Sequence, residues 1–292
     1  MISTKVGFIG LGNLGKVVAK KLAFEKVQLT VYDLNKDLVD ELVAAGAKAA
    51  GSSREVATAS DVIISLVRDE RQNDQVIFGK EGIWEGISEG KTIVLSATIG
   101  PSYARKIYAK AKEKGVHVID APITAEARSF TLGEEWGLWT LFIGGDEQDV
   151  KQCWPVFEAM GKNLFYLGPI GSGMAGKAVN NLAMYANNIV ARECANIAIK
   201  AGLDLKQIAK GILVGTGRSG GFSGMSRRAS GGPRSTVPVS IPGELPTEDL
   251  GTKDKRVALE LADEVGAAAP IVRFMENLDL DKTYDGYAAA MR

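Results

Sequence analysis

The 292 residues include 35 Lys and Arg against 35 Asp and Glu, with 46% hydrophobic and 24% charged residues. That balance describes a globular chain with room for two cores, and it excludes a disordered chain or a global field that would recruit nucleic acid or a membrane surface. One histidine, His117, and two separated cysteines, Cys153 and Cys194, give no metal-ligand spacing, so no metal is expected and the cysteines read as free thiols of a reducing compartment. No apolar run reaches the roughly 18 residues that cross a bilayer, and the first strand begins too early for a secretory leader, so a cytoplasmic location is expected.

In chain order, short apolar runs at 6–9, 28–32, 62–66, 92–95, 116–119, 138–143 and 164–166 read as strands. Amphipathic stretches such as 38–45 and 103–114 separate several of them. This alternation predicts an α/β fold with a doubly wound, mostly parallel sheet covered on both faces. His117, inside Val116-His117-Val118-Ile119, is expected to pack in the core. Past Gly168-Pro169 the strands stop. Residues 175–201 have the spacing of one long helix ending at Gly202, and 250–265 and 271–278 are also helical. The predicted domains are therefore 1–167 and an all-α 168–292. Between them in character, 215–246 is rich in Gly, Ser and Pro and carries Arg218, Arg227, Arg228 and Arg234. It is expected to be a long loop, either a functional cover or a solvated linker.

Two segments carry chemistry. The strand at 6–9 enters Gly10-Leu11-Gly12-Asn13-Leu14-Gly15 and then a helix. Gly10 turns the chain, Gly12 admits a pyrophosphate to backbone N–H groups, and Gly15 lets the helix pack closely. Asp33, about 20 residues on, is placed to bond an adenosine ribose, which predicts a dinucleotide and favours NAD over NADP. The second segment is Gly171-Ser172-Gly173-Met174-Ala175-Gly176-Lys177, with Asn181 four residues further on. Lys177 and Asn181 share one helix face. A lysine in a poorly solvated cleft trades a proton near neutral pH, and an asparagine beside it can hold a substrate hydroxyl.

With these motifs the chain resembles the β-hydroxyacid dehydrogenase family nearly end to end. Gly7-Phe8-Ile9-Gly10-Leu11-Gly12-Asn13-Leu14-Gly15 is similar to its opening motif, and Ser96-Ala97-Thr98-Ile99-Gly100-Pro101 to its Ser-Thr-Ile-x-Pro turn. The resemblance implies a Rossmann-type domain over 1–167 and a substrate and dimerisation domain over 168–292. It implies Lys177 as the acid–base, with Thr124, Asn181 and Asp254 binding a small-molecule substrate. Cofactor contacts would come from Gly10, Gly12, Asn13, Leu14, Gly15, Asp33, Leu66, Val67, Thr98 and Lys253, and the assembly would be a homodimer or homotetramer. Lys253-Asp254 resembles the family segment that closes over the site.

The chain also departs from the family. Asp120-Ala121-Pro122-Ile123-Thr124 resembles its Asp-Ala-Pro-Val-Ser, but Ala125-Glu126 stands where Gly-Gly is usual. The stretch 124–137 is about four residues longer than the family pattern and carries Phe130 and Trp136, with Trp139 following. The family's aromatic substrate contact near Pro246 is missing. A charge at Glu126 and this added bulk predict weak use of the simplest hydroxy acids. Two rivals follow: an imine reductase on the same scaffold, where the lysine is usually Asp or Tyr, and a non-catalytic nucleotide-binding module, which would tolerate loss of Lys177.

Overall fold

A computed structural model describes residues 3–124, 137–230, 250–278, 283 and 285. The chain forms two compact units, Met1–Lys177 and Ala178–Arg292.

The first unit is built on β1 (Lys5–Ile9), β2 (Gln28–Tyr32), β3 (Lys48–Ala49), β4 (Val62–Ser65), β5 (Thr92–Leu95), β6 (His117–Asp120), β7 (Ile123–Thr124), β8 (Thr140–Gly144) and β9 (Asn163–Gly168). The sheet order is β3-β2-β1-β4-β5-β6-β8-β7, and β9 pairs with β8. Strands from β3 to β6 are parallel; β8 turns antiparallel to β6 and β7. The connecting helices are α1 (Gly15–Phe24), α2 (Lys36–Ala44), α3 (Ser53–Ala59), α4 (Glu70–Phe78), α5 (Ile83–Gly86), α6 (Pro101–Lys112) and α7 (Glu147–Met160). Their starts are written locally: Asn35, Ser52 and Asp69 accept backbone N–H groups of the first turns of α2, α3 and α4.

Both sheet faces are covered, as a parallel sheet requires. In β4, Val62 and Ile64 join a core with Leu22 of α1, Leu42 of α2 and Phe157 of α7. Ile63 faces the other core, with Ile77 of α4 and Ile107 of α6. The parallel strands β1, β4, β5 and β6 therefore deliver their carboxyl ends to one edge, where ligands of such sheets bind.

Helix α8 (Ser172–Lys200) starts in the first unit and continues as part of the second, followed by α9 (Leu205–Val214), α10 (Gly220–Ala229), α11 (Leu250–Glu264) and α12 (Pro270–Glu276). Within the second unit Ala191 and Ala195 of α8 pack with Ala209 of α9 and with Phe222 and Met225 of α10, while Ala178 packs with Val257 and Ala258 of α11. Among the described residues no helix is long and apolar enough to cross a membrane.

Two expectations are corrected. His117 is not a core residue: it opens β6 half-exposed, and its Nδ1 lies 2.8 Å from Asp149 Oδ2. Val116 and Val118 are buried while His117 points toward solvent at the strand end. The segment 215–246 is not wholly loop, because α10 occupies 220–229. Its Phe222 and Met225, three apart, are both buried, which overrides the poor helix propensity of its glycines and serines. Arg234 and the rest of 231–249 lie outside the described residues. Cys153 is buried and Cys194 half-buried, and both are free thiols; burial pushes the Cys153 thiol up to about 11.

Candidate active site

The turn after β1 is tightly determined. Gly10 has φ +96°, and a Cβ there would stand 2.4 Å from the Leu66 carbonyl oxygen, so no side chain fits. A Cβ on Gly15 would strike the Gly10 carbonyl. Gly12 is different, since among the described residues nothing lies within 4 Å of where its Cβ would stand. The first bond into α1 runs from Lys16 N–H to Gly12 C=O, so the N–H groups before it belong to an open helix terminus. Open space and terminal N–H groups in one place suit a pyrophosphate.

Asp33 follows β2. Its Oδ2 accepts the Leu11 N–H at 2.6 Å and its Oδ1 the Asn35 N–H at 2.8 Å, so it fastens the glycine turn to the start of α2. A carboxylate offers about four lone-pair positions, which leaves capacity for ribose hydroxyls. Leu66 and Val67, just past β4, abut Gly10. Past β5, Ala97 and Ile99 are buried in the core and Thr98 between them is half-exposed. The two loops are joined where Gly100 N–H donates to Glu70 Oε1 at 3.0 Å. The Ser96 hydroxyl is buried here with no hydrogen-bond partner among the described residues. Such a group is costly unless something else satisfies it.

Near the sheet's far side Thr124 ends β7, half-buried and in register with Thr140. Glu126, Phe130 and Trp136 lie outside the described residues. Trp139 is fully buried, its Nε1–H donating to the Met160 carbonyl at 2.7 Å. Lys177, the last residue of the first unit, sits in the second turn of α8 and is 8% exposed.

In the second unit, α8 and α11 bring four polar side chains together. Asn181, 2% exposed, donates from Nδ2 to Asp254 Oδ2 at 2.8 Å, and Tyr185 OH donates to the same oxygen at 3.3 Å. Lys253, 6% exposed, has Nζ 3.6 Å from Asp254 Oδ1. A carboxylate only accepts hydrogen bonds when ionised, so Asp254 fixes which way the Asn181 amide points. Sequence reasoning singled out Lys177, Asn181, Lys253 and Asp254. Tyr185 and Glu70 were given no role there, although Asn181 and Tyr185 at i and i+4 do signal a shared face.

Residues 5–168 match the model of the NAD binding domain of 6-phosphogluconate dehydrogenase. The chain is 35% identical over 206 residues to the NAD-dependent L-serine dehydrogenase of Pseudomonas aeruginosa, covering 70% of this chain and 68% of that protein. It is 31% identical to an uncharacterized oxidoreductase of Bacillus subtilis, over 97% and 93% of the two chains. The crystal structure of 3-hydroxyisobutyrate dehydrogenase from Salmonella typhimurium is similar with a TM-score of 0.81 at 25% identity, over 99% of each chain. An imine reductase variant from Myxococcus stipitatus shares the fold, with a TM-score of 0.66 and 18% identity over 94% and 91%. Fold, glycine turn and relatives together define an NAD-dependent oxidoreductase acting on CH–OH groups. Within that class the chain belongs to the β-hydroxyacid dehydrogenase family.

Proposed function

We propose that this enzyme interconverts a β-hydroxy acid and its semialdehyde or keto acid, with Lys177 as the group that accepts and returns the proton. The observation that supports this reading is a lysine only 8% exposed, one helical turn before the buried Asn181 on α8. In the oxidising direction neutral Lys177 takes the proton of the substrate hydroxyl; in the reducing direction its ammonium form gives a proton to the carbonyl oxygen. Asn181, held by Asp254, orients that oxygen, and Thr124 offers a hydroxyl to the substrate carboxylate.

The residues present suit NAD: helix-terminal N–H groups, lone pairs on Asp33 and, among the described residues, open space at Gly12 and a buried unpartnered hydroxyl at Ser96. Bound NAD supplies the hydride acceptor for oxidation. Gly10, Gly12, Asn13, Leu14 and Gly15 would hold the pyrophosphate, Asp33 the ribose, and Leu66, Val67, Thr98 and Lys253 the remainder. The division of labour is a cofactor domain over 1–167 and a substrate and dimerisation domain over 168–292 of a homodimer or homotetramer.

The test is NAD(H) turnover over L-serine, 3-hydroxyisobutyrate, 2-(hydroxymethyl)glutarate, glyoxylate and cyclic imines, with Lys177→Ala alongside. Turnover of a hydroxy acid that collapses in Lys177→Ala is the expected result. Turnover of imines alone, or an unimpaired variant, overturns it.

A further inference from the structure

We propose that Asp120 is a positioning residue of this reaction: its carboxylate clamps the first turn of α8 to the end of β6 and, as a negative charge at that terminus, governs the place and proton affinity of Lys177. The proposal rests on reading Lys177 as the acid–base.

Asp120 is fully buried, and both its oxygens are used by the chain at the start of α8. Oδ1 accepts the Gly171 N–H at 2.8 Å and Oδ2 the Met174 N–H at 2.6 Å, with Gly173 contributing a further backbone bond. An ordinary helix cap comes from the residue just before the helix. Here the acceptor comes from a strand, 51 and 54 residues earlier in the chain. It therefore does what a local cap cannot, which is to fix the helix against the sheet.

The slot is shaped for this carboxylate. A Cβ on Gly173 would stand 2.7 Å from the Asp120 carbonyl and 2.9 Å from Oδ2, and one on Gly144 would stand 2.5 Å from Oδ1. Burial pushes the Asp120 carboxyl up to about 6 against the pull of the Gly171, Met174, Gly173 and own backbone N–H groups. It is thus ionised at neutral pH in a poorly screened place. Lys177 follows Met174 by three residues, about 4.5 Å further along the helix axis. A bare helix N-terminus carries about half a positive charge and disfavours an ammonium group nearby; the Asp120 carboxylate offsets it. A charged group beside this clamp is Arg105 of α6, whose Nη1 lies 2.9 Å from where a Cβ on Gly171 would stand.

The experiment uses the full-length enzyme with saturating NAD and its best hydroxy acid. Asp120→Asn keeps the volume but removes the charge and one acceptor, whereas Asp120→Glu keeps the charge and displaces it. Both should lose at least about tenfold in kcat while NADH affinity stays within about twofold. The acid limb of kcat/KM for oxidation should move to lower pH by about half a unit or more in Asp120→Asn only. An unmoved limb in Asp120→Asn, or loss only in proportion to unfolded protein, overturns the proposal. If neither variant folds, a titration of the wild type decides. The 13Cε resonance of Lys177, assigned with Lys177→Arg, should show an inflection near pH 6 as Asp120 takes a proton, and its absence overturns the proposal. That titration does not depend on catalysis, so failure of the Lys177 reading, seen in Lys177→Ala, is told apart from failure of this one.

Discussion

The Asp33 carboxylate accepts the Leu11 N–H at 2.6 Å, so the acid that ends β2 holds the glycine turn that ends β1. One residue thereby shapes the glycine turn and, in the proposed cofactor site, would face the ribose. Asp33→Ala should weaken NADH binding about tenfold, equivalent to about 1.4 kcal/mol. It should also narrow the preference for NADH over NADPH, since the like-charge repulsion of a 2′-phosphate is removed. Fluorescence titration with both cofactors checks this, and NADPH binding tighter than NADH in the wild type would contradict the assignment.

Lys177→Ala should cut kcat by about 10²–10⁴, the usual share of general acid–base catalysis, with the cofactor dissociation constant nearly unchanged. Asn181→Ala should instead raise KM strongly, because it removes the amide that Asp254 orients. Steady-state kinetics beside cofactor titration separate the two effects.

Trp139→Phe should destabilise the first unit by about 2–4 kcal/mol, since it opens a cavity in the core and leaves the Met160 carbonyl without its donor. Chemical denaturation would show a lower midpoint while kcat of the folded fraction stays at the wild-type value.

Asp120 also predicts a direction for stability against pH. The folded protein holds its proton up to about pH 6, whereas an unfolded aspartate releases it near 3.8. Between those values the folded state binds more protons, so this group's contribution is full below the lower value and is lost as pH rises through the upper one. Relative to Asp120→Asn, the wild type should therefore gain about 3 kcal/mol on going from pH 7 to pH 3.5. Unfolding curves of both proteins across that range check the sign; a gain toward high pH would refute it.

The central strands are legible in the sequence because a parallel sheet buried on both faces leaves continuous apolar runs, as in Val62-Ile63-Ile64. The two-residue strands β3 and β7 are too short to show any period. Lys177 and Asn181 are readable as an i, i+4 pair, but Asp254 lies 73 residues from its partner Asn181, and only the folded chain brings them together. The clamp at Asp120 is hidden for the same reason, because its donors are backbone N–H groups that no residue type announces. His117 misleads because it opens β6 between the buried Val116 and Val118, so an apolar run surrounds a side chain that is itself half-exposed. Its partner Asp149 is 32 residues on.

Helix α10 owes its existence to two side chains, Phe222 and Met225, in a stretch of glycine and serine with little intrinsic tendency to coil. Few residues oppose its melting once those two let go. Its amides should exchange with deuterium well before those of α8, α9 or α11, by opening of this one short helix while its neighbours stay folded. A single Phe222→Ala change would then act as a local solvent, releasing ten residues from order without disturbing the sheet at the other end of the chain.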